Sequence, residues 1–290
     1  MIPVLDRYQL VTPETFAEAL DDLAAHPAAR PFAGGTDLMV LLEAGQLPPG
    51  RFVDLANCRE LHGIERSEDG GIAIGALTTY TDIRRSREID EGFGLLKMAA
   101  AQTGGVATQN RGTIGGNIAN ASPAADTPPV LLVYDTELEL VSSSGSRRVP
   151  YASFHRGYKQ MDLRPGEIIA RVILPARASR LAPRDFYRKV GTRRAQAISK
   201  VCFAGTIAID ADVVAHIRIA LGSVAPTVIR ATRTEDALRG RPLDEPTVAA
   251  AMDVLASEIA PIDDVRSTAR YRARVAANLL REFLTADRER

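Results

Sequence analysis

The sequence predicts an α+β fold built as two domains, and two observations carry that reading. Residues 1–60 alternate short extended and helical patterns, as in a β-α-β-α-β unit. Beyond residues 178–183 the pattern changes to three strand-like runs followed by two long helical ones, as expected for an antiparallel sheet with helices against it. The length, 290 residues, suits two domains better than one, and a chain 46% apolar and 25% charged can fill a sizeable core.

In chain order, "VTPETFAEALDDLAAHP" reads as an amphipathic helix, with Thr12 as N-cap, Pro13 at the first helical position, and Phe16, Ala19, Leu20 and Leu23 on one face. "ARPFAGG" is a short strand running into paired glycines, and "TDLMVLLEAG" a helix starting near Thr36 and stopped by Gly45. "RFVDL" closes this unit, and "GGIAIGALTTY" begins the next as a strand. Helical patterns follow at 81–90 and 92–102, then a small-residue stretch, a short helix around 126–134 and the strands "ELELV" and "GEIIARVILP", with "SSSGS" as a turn. "ASRLAP", 178–183, reads as a linker. "DFYRKVG", "ISKVCFAGTIAID" and "DVVAHIRIALG" give a three-stranded sheet, and 244–259 and 267–287 the helices. The domains expected are therefore 1–177, divided near residue 60, and 183–288.

Composition excludes several classes of function. Acids and bases balance at 36 each and there is no Trp, which argues against nucleic-acid binding through a basic surface or stacked bases. The N-terminal "MIPVLDRYQL" lacks an apolar signal core, and the apolar runs are far short of a membrane span. Cys58 and Cys202 are far apart with no CxxC and cannot by themselves ligate a cluster or a structural zinc. They read as reduced thiols of a cytoplasmic protein. The four histidines have no metal-ligand spacing, so no metal site is expected in this chain.

Two glycine-rich segments carry the functional signal. In "PFAGGTDL", 31–38, a strand ends, two glycines turn, and a helix begins. Glycine permits positive φ and lets backbone N–H groups approach a ligand, so the segment could bind phosphate without a Lys; taken alone, a strand-Gly-Gly-helix junction is more often only a turn. In "TIGGNIANASPAADTPP", 113–129, Gly115 and Gly116 are expected to free further backbone donors. Thr113, Asn117, Asn120, Ser122 and Asp126 add side-chain donors and acceptors. Asp126 has no basic neighbour in sequence, which leaves a hydroxyl or a ring N–H as its expected partner. Neither segment has the GxGxxG or GK[ST] spacing, so a dinucleotide would have to lie across both.

These two segments, with "YRKVGTRRAQAISKV" (187–201) and "DDVRSTARYRARVAANLL" (263–280), resemble in order the FAD-binding, or medium, subunit of the molybdenum hydroxylases, the family of xanthine dehydrogenase and aerobic carbon monoxide dehydrogenase. The resemblance implies a two-subdomain FAD-binding domain of the PCMH type, then a carbon monoxide dehydrogenase flavoprotein C-terminal domain. It implies non-covalent FAD held by Pro31, Phe32, Ala33, Gly34, Gly35, Thr36, Asp37 and Leu38 on one side and Gly112, Thr113, Ile114, Gly115, Gly116 and Asn117 on the other. Asn117, Ser122 and Asp126 match positions that hydrogen-bond the flavin or its sugar, Ile169 an aliphatic position near the ring, and Lys189 one where a Lys reaches the ring and would stabilise negative charge on it when reduced. Asn117 looks more like the xanthine dehydrogenase branch than the carbon monoxide dehydrogenase branch, which favours Asp there. A chain with two cysteines also lacks the iron–sulfur insertion of the hydroxybenzoyl-CoA reductase branch.

The function implied is electron transfer. Electrons would come from the [2Fe–2S] clusters of a small partner subunit, beyond which a large partner holds the molybdenum cofactor, and would pass to NAD or another acceptor, in a dimer of heterotrimers. No catalytic residue is expected in this chain. Two other readings share the fold: a stand-alone flavin oxidoreductase, and a non-redox FAD- or nucleotide-binding assembly protein.

Overall fold

The computed structural model describes residues 5–177 and 183–286, so most of the expected linker, 178–182, lies outside the described residues. The first unit is β1 (Tyr8–Val11), α1 (Phe16–Ala25), β2 (Arg30–Phe32), α2 (Leu38–Glu43) and β3 (Gly50–Asp54). Its strands form a parallel sheet in the order β1-β3-β2, as short βαβ crossovers require. The helix start differs from the expectation at Thr12 and Pro13. Thr15 is the N-cap, its Oγ1 accepting from the Glu18 N–H at 3.2 Å, while the Glu18 carboxylate accepts from the Glu14 N–H at 2.9 Å. This reciprocal pair satisfies two amides and outcompetes the proline signal three residues earlier.

The second unit begins with β4 (Ile64–Arg66) and β5 (Ile72–Gly75), followed by six short helices: α3 (Tyr80–Arg85), α4 (Arg87–Asp90), α5 (Gly94–Gln102), α6 (Val106–Arg111), α7 (Ile114–Ala119) and α8 (Pro128–Val133). The pattern at 81–90 is two helices, because Ser86 ends α3 and caps α4 through its Oγ. Then come β6 (Glu137–Ser142), β7 (Gly145–Pro150), β8 (His155–Gly157), β9 (Gln160–Met161) and β10 (Ile168–Leu174). β4-β5-β10-β6-β7 is an antiparallel sheet with β10 at its centre.

The third unit has β11 (Arg184–Val190), β12 (Val201–Asp210), β13 (Val213–Gly222) and β14 (Ile229–Arg230), with α9 (Thr232–Leu238), α10 (Glu245–Glu258) and α11 (Ala269–Thr285). Its antiparallel sheet has four strands rather than the three expected. The two residues of β14 are too few to show an alternation in sequence.

The second and third units share one apolar core. All six residues of α8 are buried, and four of them, Val130, Leu131, Leu132 and Val133, pack in one cluster with Cys202, Ala204 and Ala220 from β12 and β13. Polar ties flank this wedge. Asp135 accepts from Arg218 and Arg230, Arg177 pairs with Asp185 at 3.2 Å, and the Ser223 N–H donates to the Pro123 carbonyl at 2.8 Å.

A second core lies between β12 and α11. Phe283 is fully buried against Phe186 and Phe203, and its ring occupies the space a side chain at Gly205 would need, 2.9 Å from the position of an added Cβ. Phe283→Ala should therefore leave a cavity that Gly205 cannot fill and cost about 3–5 kcal/mol. A urea titration should show the midpoint falling with little change in slope.

Candidate functional site

The first glycine segment is a loop, Ala33–Asp37, between β2 and α2. Gly35 stands at φ 73°, a region that strongly favours glycine, and α2 begins at Leu38 rather than near Thr36. The N–H groups of Gly34, Gly35, Thr36 and Asp37 donate to no acceptor among the described residues. Such a run of uncommitted amides can accept an anion. Asp37 is the N-cap of α2, yet its side chain makes no capping hydrogen bond.

The second glycine segment is not the free-donor loop expected at Gly115 and Gly116. Residues 114–119 form α7 and its first amides are all engaged. Ile114 donates to the Thr78 carbonyl at 3.1 Å, Gly115 to the Ala76 carbonyl at 2.9 Å, and Gly116 to Thr113 Oγ1 at 3.1 Å. The glycines serve contact instead. An added Cβ at Gly115 would stand 2.6 Å from the Ala76 Cβ, while at Gly116, which is exposed, it would meet only Thr113 Oγ1 within 4 Å. Gly116 thus leaves a bare surface on α7.

The two segments touch. An added Cβ at Gly34 would lie 1.9 Å from the Arg111 carbonyl oxygen, and one at Gly112 3.4 Å from Thr36 Oγ1. Asn120, at the C-terminal end of α7, donates from Nδ2 to Asp37 Oδ1 at 3.2 Å. The structure therefore brings together Pro31 to Leu38 and Gly112 to Asn117 in one place, one segment supplying amides and the other a bare helix face.

Asp126 lies at the seam with the third unit. The basic partner that sequence proximity did not offer comes from β11: Lys189 Nζ donates to Asp126 Oδ2 at 2.7 Å and to the Gln102 carbonyl at 2.9 Å. Ser199 Oγ donates to Asp126 Oδ1 at 2.7 Å, and Tyr187 OH to the Asp126 carbonyl at 3.1 Å. The Lys189 and Asp126 side chains are only 5% and 10% exposed. Burial pushes the Asp126 carboxyl above the usual carboxylate range, against the opposing pull of the Lys189 ammonium and the Ser199 hydroxyl. Asn117 Oδ1 accepts from Thr127 Oγ1 at 2.9 Å, next to Asp126 in sequence, and Ser122 Oγ accepts from the Ala124 N–H at 3.3 Å. Ile169 is buried in β10, paired with Leu140.

Sequence reasoning passed over Tyr187, Ser199 and a third glycine pair, Gly104–Gly105. Gly104 has φ 60° and its carbonyl accepts from the Gln196 N–H at 3.2 Å, so the loop between β11 and β12 lies on the first domain there. The paired glycines of "TGGVATQ" were the available signal. Cys58 and Cys202 are both buried and free, and among the described residues no His/Cys/Asp/Glu group could hold a metal. No helix among them is long and apolar enough to cross a membrane.

Residues 6–177 match the family described as the FAD binding domain in molybdopterin dehydrogenase, and residues 186–286 match the CO dehydrogenase flavoprotein C-terminal domain. The chain is 30% identical over 271 residues to a xanthine dehydrogenase FAD-binding subunit of Escherichia coli O157:H7, covering 93% of this chain and 92% of that one. It is 32% identical over 268 residues to the glyceraldehyde dehydrogenase medium chain of Sulfolobus acidocaldarius, covering 92% and 94%. A carbon monoxide dehydrogenase structure from Hydrogenophaga pseudoflava, lacking the Mo-pyranopterin moiety, superposes with a TM-score of 0.91 at 29% identity, over 97% of this chain and 96% of that one. Two matched domains in this order, spanning nearly the whole chain, place it in the family of FAD-binding subunits of molybdenum hydroxylases of the xanthine dehydrogenase and carbon monoxide dehydrogenase type.

Proposed function

We propose that this chain is the flavin electron-transfer subunit of a multi-subunit molybdenum hydroxylase. It would receive electrons from the [2Fe–2S] clusters of a small subunit, ahead of which a large subunit carries the molybdenum cofactor, and release them to NAD or another acceptor. A dimer of such heterotrimers is the assembly this reading expects. The observation that carries it is the run of uncommitted amides at Gly34–Asp37 set against the bare face of α7 at Gly116. That arrangement accepts a diphosphate without a basic side chain. FAD supplies the redox chemistry when bound, taking electrons one at a time and giving them up singly or as a hydride.

The residues of this chain then divide the work. The Gly34–Asp37 amides hold the diphosphate, and α7 from Gly112 to Asn117 backs it. Asn117, Ser122 and Asp126 orient the sugar and ring, and Ile169 gives an aliphatic surface beside them. Lys189 brings a cation toward the ring, but a cation already paired with Asp126, so its field there is a balance of two charges. Relatives named for xanthine and for glyceraldehyde match almost equally well, at 30% and 32%, so the preference for the xanthine dehydrogenase branch rests on Asn117.

Heat or acid should release one FAD per chain into the supernatant. Flavin retained by the precipitate, or FMN in its place, would oppose the assignment. Gly34→Ala should force the two segments apart at the Arg111 carbonyl and weaken FAD binding roughly tenfold to a hundredfold, for a strain of about 1–3 kcal/mol. Equilibrium dialysis against FAD checks this, and an unchanged affinity in the folded variant would remove the loop contact from the account. Pull-down of the chain from its native source should bring with it an iron–sulfur protein and a molybdenum-containing one; isolation as a lone active flavoprotein would contradict the subunit role.

A further inference from the structure

The loop that carries the uncommitted amides of Gly34–Asp37 ends on Asp37, whose carboxylate is tied across to Asn120 at the end of α7. An Asp at a helix N-cap normally turns back and accepts from the first amides of its helix. Asp37 does not: its backbone is helical, at φ −99° and ψ −45°, and its Oδ1 accepts from Asn120 Nδ2 at 3.2 Å.

Asn120 can present that nitrogen only if its amide is held in one of its two orientations. Lys159 holds it. Its Nζ donates to Asn120 Oδ1 at 2.6 Å and also to the Asn120 carbonyl, which turns the amide nitrogen toward Asp37. Lys159 stands in the turn of the β8–β9 hairpin at φ 57°, a left-handed conformation costly for a residue with a Cβ. The same hairpin is anchored on α7 independently of Lys159. His155 Nε2 lies 3.0 Å from the Ile118 carbonyl, and Tyr151 OH lies 3.3 Å from Nδ1. The Ile118 carbonyl can only accept, so Nε2 is the donor in that contact, and burial lowers the pKa of His155. A strained residue at a hairpin tip whose side chain reaches across to fix an amide beside a ligand loop points to a role in binding.

We propose that Lys159 is a positioning residue for the bound dinucleotide, holding Asn120 so that Asp37 stays tied to α7 and the loop that carries the Gly34–Asp37 amides keeps its place for the diphosphate. The inference rests on the FAD reading above. Lys159 acts through Asn120 and Asp37.

The test is the rate of FAD release from the full-length chain, followed by the rise of flavin fluorescence on dilution, beside the melting temperature of the apoprotein. In Lys159→Gly the strap is lost while the left-handed turn is relieved. Release should become roughly tenfold faster, the loss of one charged hydrogen bond, while the apoprotein melts no lower than wild type. Lys159→Arg should retain slow release. In an Asp37→Ala background, Lys159→Gly should have no further effect, because the carboxylate that Asn120 holds is gone. Equal release from Lys159→Gly and wild type would overturn the strap and leave the FAD reading intact, and faster release accompanied by a lower apoprotein melting temperature would mark Lys159 as structural and overturn it too. A wild-type chain that holds no FAD would overturn both readings.

Discussion

A buried carboxylate, Asp126, joins the two domains, and the rest of the site depends on how it is satisfied. It sits in the N-terminal domain just before α8, yet Lys189, Ser199 and Tyr187, which bond its side chain and carbonyl, all come from the C-terminal domain. Removing one partner from such a pair leaves an uncompensated buried charge, worth about 3–5 kcal/mol. The two domains are thereby fixed in one relation, with α8 as the apolar wedge beneath. That relation lays the Gly104–Gly105 turn against Gln196 and puts the Lys189 ammonium on the Gln102 carbonyl. In the proposed function Lys189 joins a site otherwise carried by the first domain, and this seam fixes its place.

The two glycine segments differ in kind. At Gly34 and Gly35 the missing side chains serve loop contact and a positive φ, and the neighbouring amides stay open. At Gly115 the missing side chain lets α7 sit on Ala76, and the amides there are spent on the body of the domain. Donor capacity and bare surface come from two different segments that touch. In the proposed reading, each meets a different part of the same ligand.

Much of this was legible in the sequence where local rules govern. The βαβ unit followed from the period of Phe16, Ala19, Leu20 and Leu23, and the segments 31–38 and 112–117 were found from their glycines. What depends on distant partners was not. Lys189 and Ser199 are 63 and 73 residues from Asp126, and no local pattern pairs them. The helix α7 was hidden because Gly115 and Gly116 read as loop residues, though tertiary contact with Ala76 overrides that propensity. Lys159 was invisible, since its meaning lies in a backbone angle and a contact 39 residues away.

In the proposed function the Asp126–Lys189 pair faces the flavin and sets its electrostatic surroundings. A redox titration of FAD bound to Asp126→Asn tests this most directly. The substitution keeps the shape of the side chain but removes the counter-charge, leaving the ammonium on the Gln102 carbonyl. The account predicts a flavin midpoint potential more positive than wild type, on the order of 30 mV or more. An unchanged or more negative potential, with FAD still fully bound, would place the pair away from the flavin and contradict the account.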